Sequence, residues 1–135
     1  MEKEKLILLL SFIVVYCITS ILTLIPLWHL IIIPGIIAGI MNKSMKYGSL
    51  AASIGVLICW LVYILFGIAT RNTYAILNQI GALLFGSGSG WIFVFLILLI
   101  GAIFGFLGAV IGNVGLTLVN RYILIENRKS KSLEK

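Results

Sequence analysis

The sequence predicts an all-α integral membrane protein: a four-helix bundle, N-in and C-in, with a short interfacial helix between the third and fourth helices. Three observations carry this expectation. The 135 residues are 61% hydrophobic and only 10% charged, with a mean hydropathy of +1.20. A water-facing domain carries about 25% charged residues, so a soluble surface cannot be built from this inventory. Apolar runs recur at the ~20-residue length that crosses ~30 Å of hydrocarbon. No carboxylate occurs between Glu4 and Glu126, and the basic residues gather at the ends of the apolar runs. The length allows one domain, read as a membrane domain over 1–126 and a basic cytoplasmic tail over 127–135.

The first span covers residues 6–25 and is closed by Pro26. Apolar residues resume at Leu27 and reach Met41, interrupted only by His29. One helix from Leu6 to Met41 would be ~54 Å long, too long for a single crossing. A reversal is therefore expected at Pro26-Leu27-Trp28-His29, because proline stops a helix and Trp and His suit an interface. The second span is then 27–42, with a kink at Pro34, which cannot donate to the carbonyl of Leu30. The first run lacks a small-x-small cleavage site, and Tyr16 before Cys17 does not fit a lipoprotein signal, so an uncleaved span is expected. Cys17 and Cys59 fall at similar depths in the first and third spans and read as two buried apolar side chains.

The third span is 47–70, without a charge. In the stretch 74–85, Ile76, Leu77, Ile80, Leu83 and Leu84 share one helical face, with Asn78 and Gln79 opposite. That is the pattern of a helix lying along the outer surface, and a re-entrant loop before the Gly-Ser-Gly-Ser-Gly run at 86–90 is the alternative. The fourth span is 91–119, its helix prolonged to about Glu126 and followed by a disordered tail.

Orientation follows from charge. With the N-terminus inside, residues 1–5, 42–46 and 120–135 are cytoplasmic and hold nine of the ten basic residues, leaving Arg71 outside. The positive-inside rule requires this asymmetry, and a three-span chain would place one basic cluster on the wrong side. A multi-pass location in the cell membrane is expected, with the bilayer as surroundings and anionic headgroups as partners of the basic tail.

Glycine supplies the strongest pattern. Gly101, Gly105, Gly108, Gly112 and Gly115 follow one another at steps of 4, 3, 4 and 3, which keeps them on one stripe of the last helix. Each costs ~1 kcal/mol relative to alanine, so close helix approach is the expected compensation. The third helix has a matching stripe of Gly48, Ala52, Gly55 and Cys59, and the second offers Gly35, Ala38 and Gly39. These small residues fall in the cytoplasmic half, whereas Trp60, Tyr63, Phe66, Trp91, Phe93 and Phe95 fall in the outer half. A tight waist opening outward is expected. Asn113, beside the glycine stripe near the inner surface, reads as a residue solvated at the boundary, with a hydrogen bond across an interface as the alternative.

Chemistry for catalysis is not assembled. His29 has no acid to orient it, two cysteines without partner spacing make no zinc or redox site, and no phosphate-binding loop occurs. No enzyme, cofactor, metal or nucleic-acid partner is expected. No ionisable carboxylate or amine lies within the spans, which removes the usual basis of ion-coupled transport.

The Pro34-Gly35-Ile36-Ile37-Ala38-Gly39 run, the Gly48 to Gly55 stretch and the glycine-spaced last helix resemble a family of uncharacterised small four-helix membrane proteins found mostly in archaea. The resemblance covers roughly residues 30–115 and implies fold and topology only. Three functional classes are weighed, and a membrane-embedded enzyme ranks last because acid–base groups are missing, which leaves two. One is a structural or accessory subunit that joins a homo-oligomer or larger membrane complex through its glycine faces. The other is a small oligomeric pore, holin-like protein or uncoupled transporter.

Overall fold

The structure, a computed structural model, describes residues 2–24, 28–42, 44–86 and 88–133. Five α-helices follow in order: α1 Glu2–Leu24, α2 Ile32–Met41, α3 Met45–Arg71, α4 Thr73–Phe85 and α5 Gly90–Leu133. A 3-10 turn, Trp28–Ile31, precedes α2, and no strand occurs among the described residues. Three stretches are long and apolar enough to cross a membrane: Lys3–Leu24, Met45–Arg71 and Gly90–Glu126.

The segment expected to form the second span departs from a plain crossing helix. Its 3-10 turn and ten-residue helix together reach only ~23 Å, short of ~30 Å of hydrocarbon. Pro34 does not kink the middle of a helix. It sits in the first turn of α2, where a missing N–H removes least hydrogen bonding. The expected reversal at 26–29 falls partly outside the described residues, which exclude Ile25, Pro26 and Leu27.

Contacts between named residues set the helix directions. Gly35 lies against Gly105 and Gly108, and Ile36 against Gly112, so α2 and α5 run parallel. Trp60 lies at Gly101 and Ala52 at Gly105, so α3 and α5 run antiparallel. Val15 meets Gly55 and Ser20 meets Cys59, so α1 and α3 run the same way. The first residues of α1 and α3 and the last residues of α2 therefore share one end, which α5 reaches at Asn113. Arg71 and α4 lie at the other end.

The core is built from small side chains. Val15, Ile31, Ala38, Ala52, Val56 and Ala109 form its main cluster, with Trp60 packed against it. On α1 the buried stripe is Ser11, Val15 and Thr19, all fully buried at i, i+4 and i+8, while Leu6, Leu9, Leu10 and Ile13 are exposed. Large apolar side chains face out and small or weakly polar ones face in, the reverse of a water-soluble helix.

The same inversion appears in α4, where the expected apolar face is mostly exposed and only Asn78 departs from its expected place. Its packed positions are Leu77 and Gly81, whereas Ile76, Ile80, Leu83 and Leu84 are exposed. Leu77 joins Ile64 and Val94 in a second cluster, and Tyr74 packs on Trp91 with ring centroids 5.2 Å apart. Asn78 faces the protein rather than solvent, its Oδ1 accepting a hydrogen bond from the Gly90 N–H at 3.2 Å. That bond satisfies one of the free amides at the start of α5.

Helix α5 also exceeds its expected length. It does not end near Glu126 before a disordered tail but continues to Leu133, because no glycine or proline follows Gly115 to stop it. A single residue, Asn72, joins α3 to α4 in the left-handed conformation, at φ 52° and ψ 32°. Asparagine tolerates that region and β-branched residues do not. Asn72→Gly should leave thermal stability in detergent unchanged or raise it, and Asn72→Val should lower it by about 1–2 kcal/mol.

Candidate functional site

Two regions of the fold concentrate the unusual residues. The first is the junction of α2, α3 and α5, where backbones meet. A methyl group placed on Gly35 would lie 2.7 Å from the Gly105 carbonyl oxygen, and one on Gly105 would lie 2.8 Å from that of Ala52. At Gly39, Gly108 and Gly112 it would overlap the backbone carbonyls of Ala109, Ile32 and Ile36. Gly101 meets the Trp60 ring, Gly55 meets the Val15 side chain, and Gly48 lies beside Ala38, Gly39 and Asn42. Ala52 is fully buried in the core.

Nine of the ten expected packing residues thus sit at helix contacts within this one chain, and the tenth does not. Gly115 is exposed, with nothing near the place of a side chain. The reason is length: α2 ends at Met41, opposite Asn113, so the next glycine of the stripe lies beyond its neighbour. Cys59 and Cys17 do not pair; Cys17 is exposed, whereas the buried Cys59 thiol lies 3.7 Å from the Ser20 hydroxyl.

A polar clamp closes this end of the bundle. The Asn42 side-chain amide donates to the Ser11 hydroxyl at 2.8 Å and to the Ala38 carbonyl at 2.9 Å. Ser11 in turn donates to the Ile7 carbonyl at 2.8 Å. The Asn113 amide donates to the backbone carbonyls of Asn42 at 3.0 Å and Gly39 at 3.4 Å. Asn113 therefore satisfies carbonyls left open at the C-terminus of α2, and the clamp ties α1, α2 and α5 together. Asn113 stood out in the sequence by its place next to glycine. Asn42 and Ser11 did not, because one sat at a span boundary and the other among ordinary mild polar residues.

The second region is a cavity of about 760 Å³ toward the Arg71 end, bounded mainly by α1 and α3 and completed by α4 and α5. Tyr16, Ser20 and Thr23 line it from α1, and Cys59, Trp60 and Tyr63 from α3. Glycine contacts dominate at the other end of the bundle, whereas aromatic side chains form part of the wall here. The Trp60 indole N–H is buried without a hydrogen-bond partner among the described residues. His29 contributes nothing that can be described, since its side chain lies outside the described residues. Among those residues no group of three His, Cys, Asp or Glu side chains is placed to hold a metal ion.

Comparison of the chain with protein families, with characterised proteins and with solved structures finds no match.

The two structural elements respond differently to substitution. Gly108→Ala or Gly112→Ala should destabilise the folded protein by about 1–3 kcal/mol, because the methyl group must displace backbone. Gly115→Ala should be neutral or gain up to ~1 kcal/mol from helix propensity. Thermal unfolding in detergent distinguishes them, and equal losses at all three positions would contradict the observed contacts. In the clamp, Ser11→Ala and Asn42→Ala should each cost about 0.6–2 kcal/mol, and the double mutant less than the sum.

Proposed function

We propose that the protein is a small four-helix, multi-pass protein of the cell membrane that serves as a structural or accessory subunit, with its N- and C-termini in the cytoplasm. The observation that carries this reading is the sorting of side chains: large apolar groups outward along helices long enough to span, small and weakly polar groups inward. In water such a surface would drive aggregation; in lipid it is the ordinary exterior. The shared direction of α1 and α3 supports four passes, because the chain must return between them, and the short α2, which runs opposite to both, forms part of that return.

Charge supports the orientation. Lys3, Lys5, Lys46, Arg121, Arg128 and Lys129 belong to the end where α1 and α3 start and α5 finishes, and Arg71 to the other. That distribution suits a cytoplasmic basic end facing anionic headgroups. In this arrangement α4 lies near the outer interface, and its exposed Ile76, Ile80, Leu83 and Leu84 dip toward hydrocarbon.

The glycine faces are used within the chain, so a homo-oligomer or a larger membrane complex would form over the outer apolar surface. Gly115 is the one member of the last-helix stripe left open to such a contact. A pore, a holin-like assembly or an uncoupled transporter needs a wetted path. The narrow glycine junction and the mainly apolar cavity walls favour the accessory reading over these.

Reporters fused before Met1 and after Lys135 should both report the cytoplasm, and a reporter inserted at Ser87 should report the opposite side. Any split between the two terminal reporters would overturn the four-pass reading. Purified protein in liposomes should give no flux of ions or small polar solutes above empty vesicles; measurable flux would transfer the assignment to the pore class.

A further inference from the structure

We propose that the cavity between α1 and α3 holds the hydrocarbon chain of an anionic lipid whose headgroup rests on Arg71. This inference rests on the membrane-spanning reading above. It concerns the end of the bundle opposite the basic tail.

Size and shape come first. The cavity of about 760 Å³ falls within the ~300–1,000 Å³ range of ligand-binding pockets. It runs beside α3 from Cys59 to Arg71, a rise of ~18 Å, close to half of a ~30 Å hydrocarbon core and hence to one leaflet. Leu24, Val62 and Phe66 form part of its lining and are also exposed on the outside of the bundle. The cavity therefore opens sideways, where a lipid chain can enter without leaving the hydrocarbon. At the Cys59 end the Cys59 thiol lies 3.7 Å from the Ser20 hydroxyl, so α1 and α3 meet there.

Charge selects the headgroup. Arg71 lines the mouth at the last turn of α3 and is exposed. The chain has no Asp at all and no Glu between Glu4 and Glu126, so no side-chain carboxylate from this half can neutralise it. Arginine presents a planar fork of donors that matches phosphate or carboxylate in two parallel hydrogen bonds. A guanidinium at the lip of an apolar slot is complementary to a molecule with an anionic head and a long apolar tail. A neutral apolar ligand would fill the walls and leave the charge unused.

The test uses the full chain with Trp28→Phe and Trp91→Phe, so that Trp60 in the cavity wall is the only indole. The protein is reconstituted into phosphatidylcholine vesicles doped with lipid carrying brominated chains, either phosphatidylglycerol or phosphatidylcholine. Half-maximal quenching of Trp60 should need roughly fivefold less brominated phosphatidylglycerol, the ratio expected for one basic residue at a membrane surface. Arg71→Gln should abolish this preference while quenching by phosphatidylcholine persists, and Arg71→Lys should restore part of it. Thr23→Phe, which fills the mouth, should weaken quenching by both lipids. Equal quenching by the two lipids in the parent protein overturns the proposal, as does a preference that survives Arg71→Gln. A chain that fails to float with the vesicles removes the membrane reading and this proposal together, whereas flotation without preference removes this proposal alone.

Discussion

Backbone contact between helices is the constraint on which the rest of the structure depends. Where Gly35, Gly39, Gly105, Gly108 and Gly112 bring α2 and α5 together, a carbonyl of one helix occupies the space a side chain would need on the other. In an apolar surrounding, helices gain little from hiding apolar surface from one another, so dispersion at short range and weak Cα–H···O contacts hold them. Both fall steeply with distance, and only hydrogen as a side chain allows the approach. The ~1 kcal/mol that each glycine forfeits in helix propensity is offset in this way, and only where a neighbour is present. Gly115, with no neighbour, marks where that arrangement stops.

Close approach at one end is matched by open space toward the other. Helices α1 and α3 run the same way and meet at Val15–Gly55 and Ser20–Cys59, and beyond that level Trp60 and Tyr63 line a cavity beside them. The bundle is therefore asymmetric along its length, with the glycine contacts and the Asn42–Ser11–Asn113 clamp gathered toward one end and the cavity beside Trp60 toward the other. The clamp suits the closed end. An asparagine side chain is costly in a low-dielectric surrounding unless its donors are used, and both Asn42 and Asn113 spend theirs on oxygens of neighbouring segments. Such bonds add directional contacts to the glycine contacts and so help set the register of α2 on α5.

The short second segment fits the same logic. A ten-residue α2 preceded by a 3-10 turn is too short to stand alone, and isolated helices of that length are marginal even in favourable sequences. It is held because Pro34, Gly35, Ala38 and Gly39 are all buried, Gly35 and Gly39 against α5 and Ala38 beside Gly48 of α3. Helix α5 plays the opposite part. Its 44 residues extend past the clamp, and Leu118, Val119, Tyr122 and Ile123 along that extension are exposed.

Composition and the spacing of apolar runs determine, before any folding is considered, that the chain is helical and suited to a membrane; they give four spans, whereas three of the described helices are long and apolar enough to cross one. The positions of the glycines, at alternating steps of 4 and 3, likewise determine that one side of the last helix is bare. What only the tertiary structure decides is which faces turn inward. The sequence pattern placed Ile76, Leu77, Ile80, Leu83 and Leu84 together, yet of these Leu77 is buried and the others look outward. Ser11 and Thr19, unremarkable in the chain, flank Val15 on the buried stripe of α1. The reason is physical. In water, hydrophobicity points to the core; in lipid, apolar side chains are equally at ease on either side, so periodicity shows which residues share a face but not where it is directed. That choice falls to steric fit between whole helices, and the length of α2, which leaves Gly115 bare, together with the separation of α1 from α3 around a cavity, exists only once they are packed.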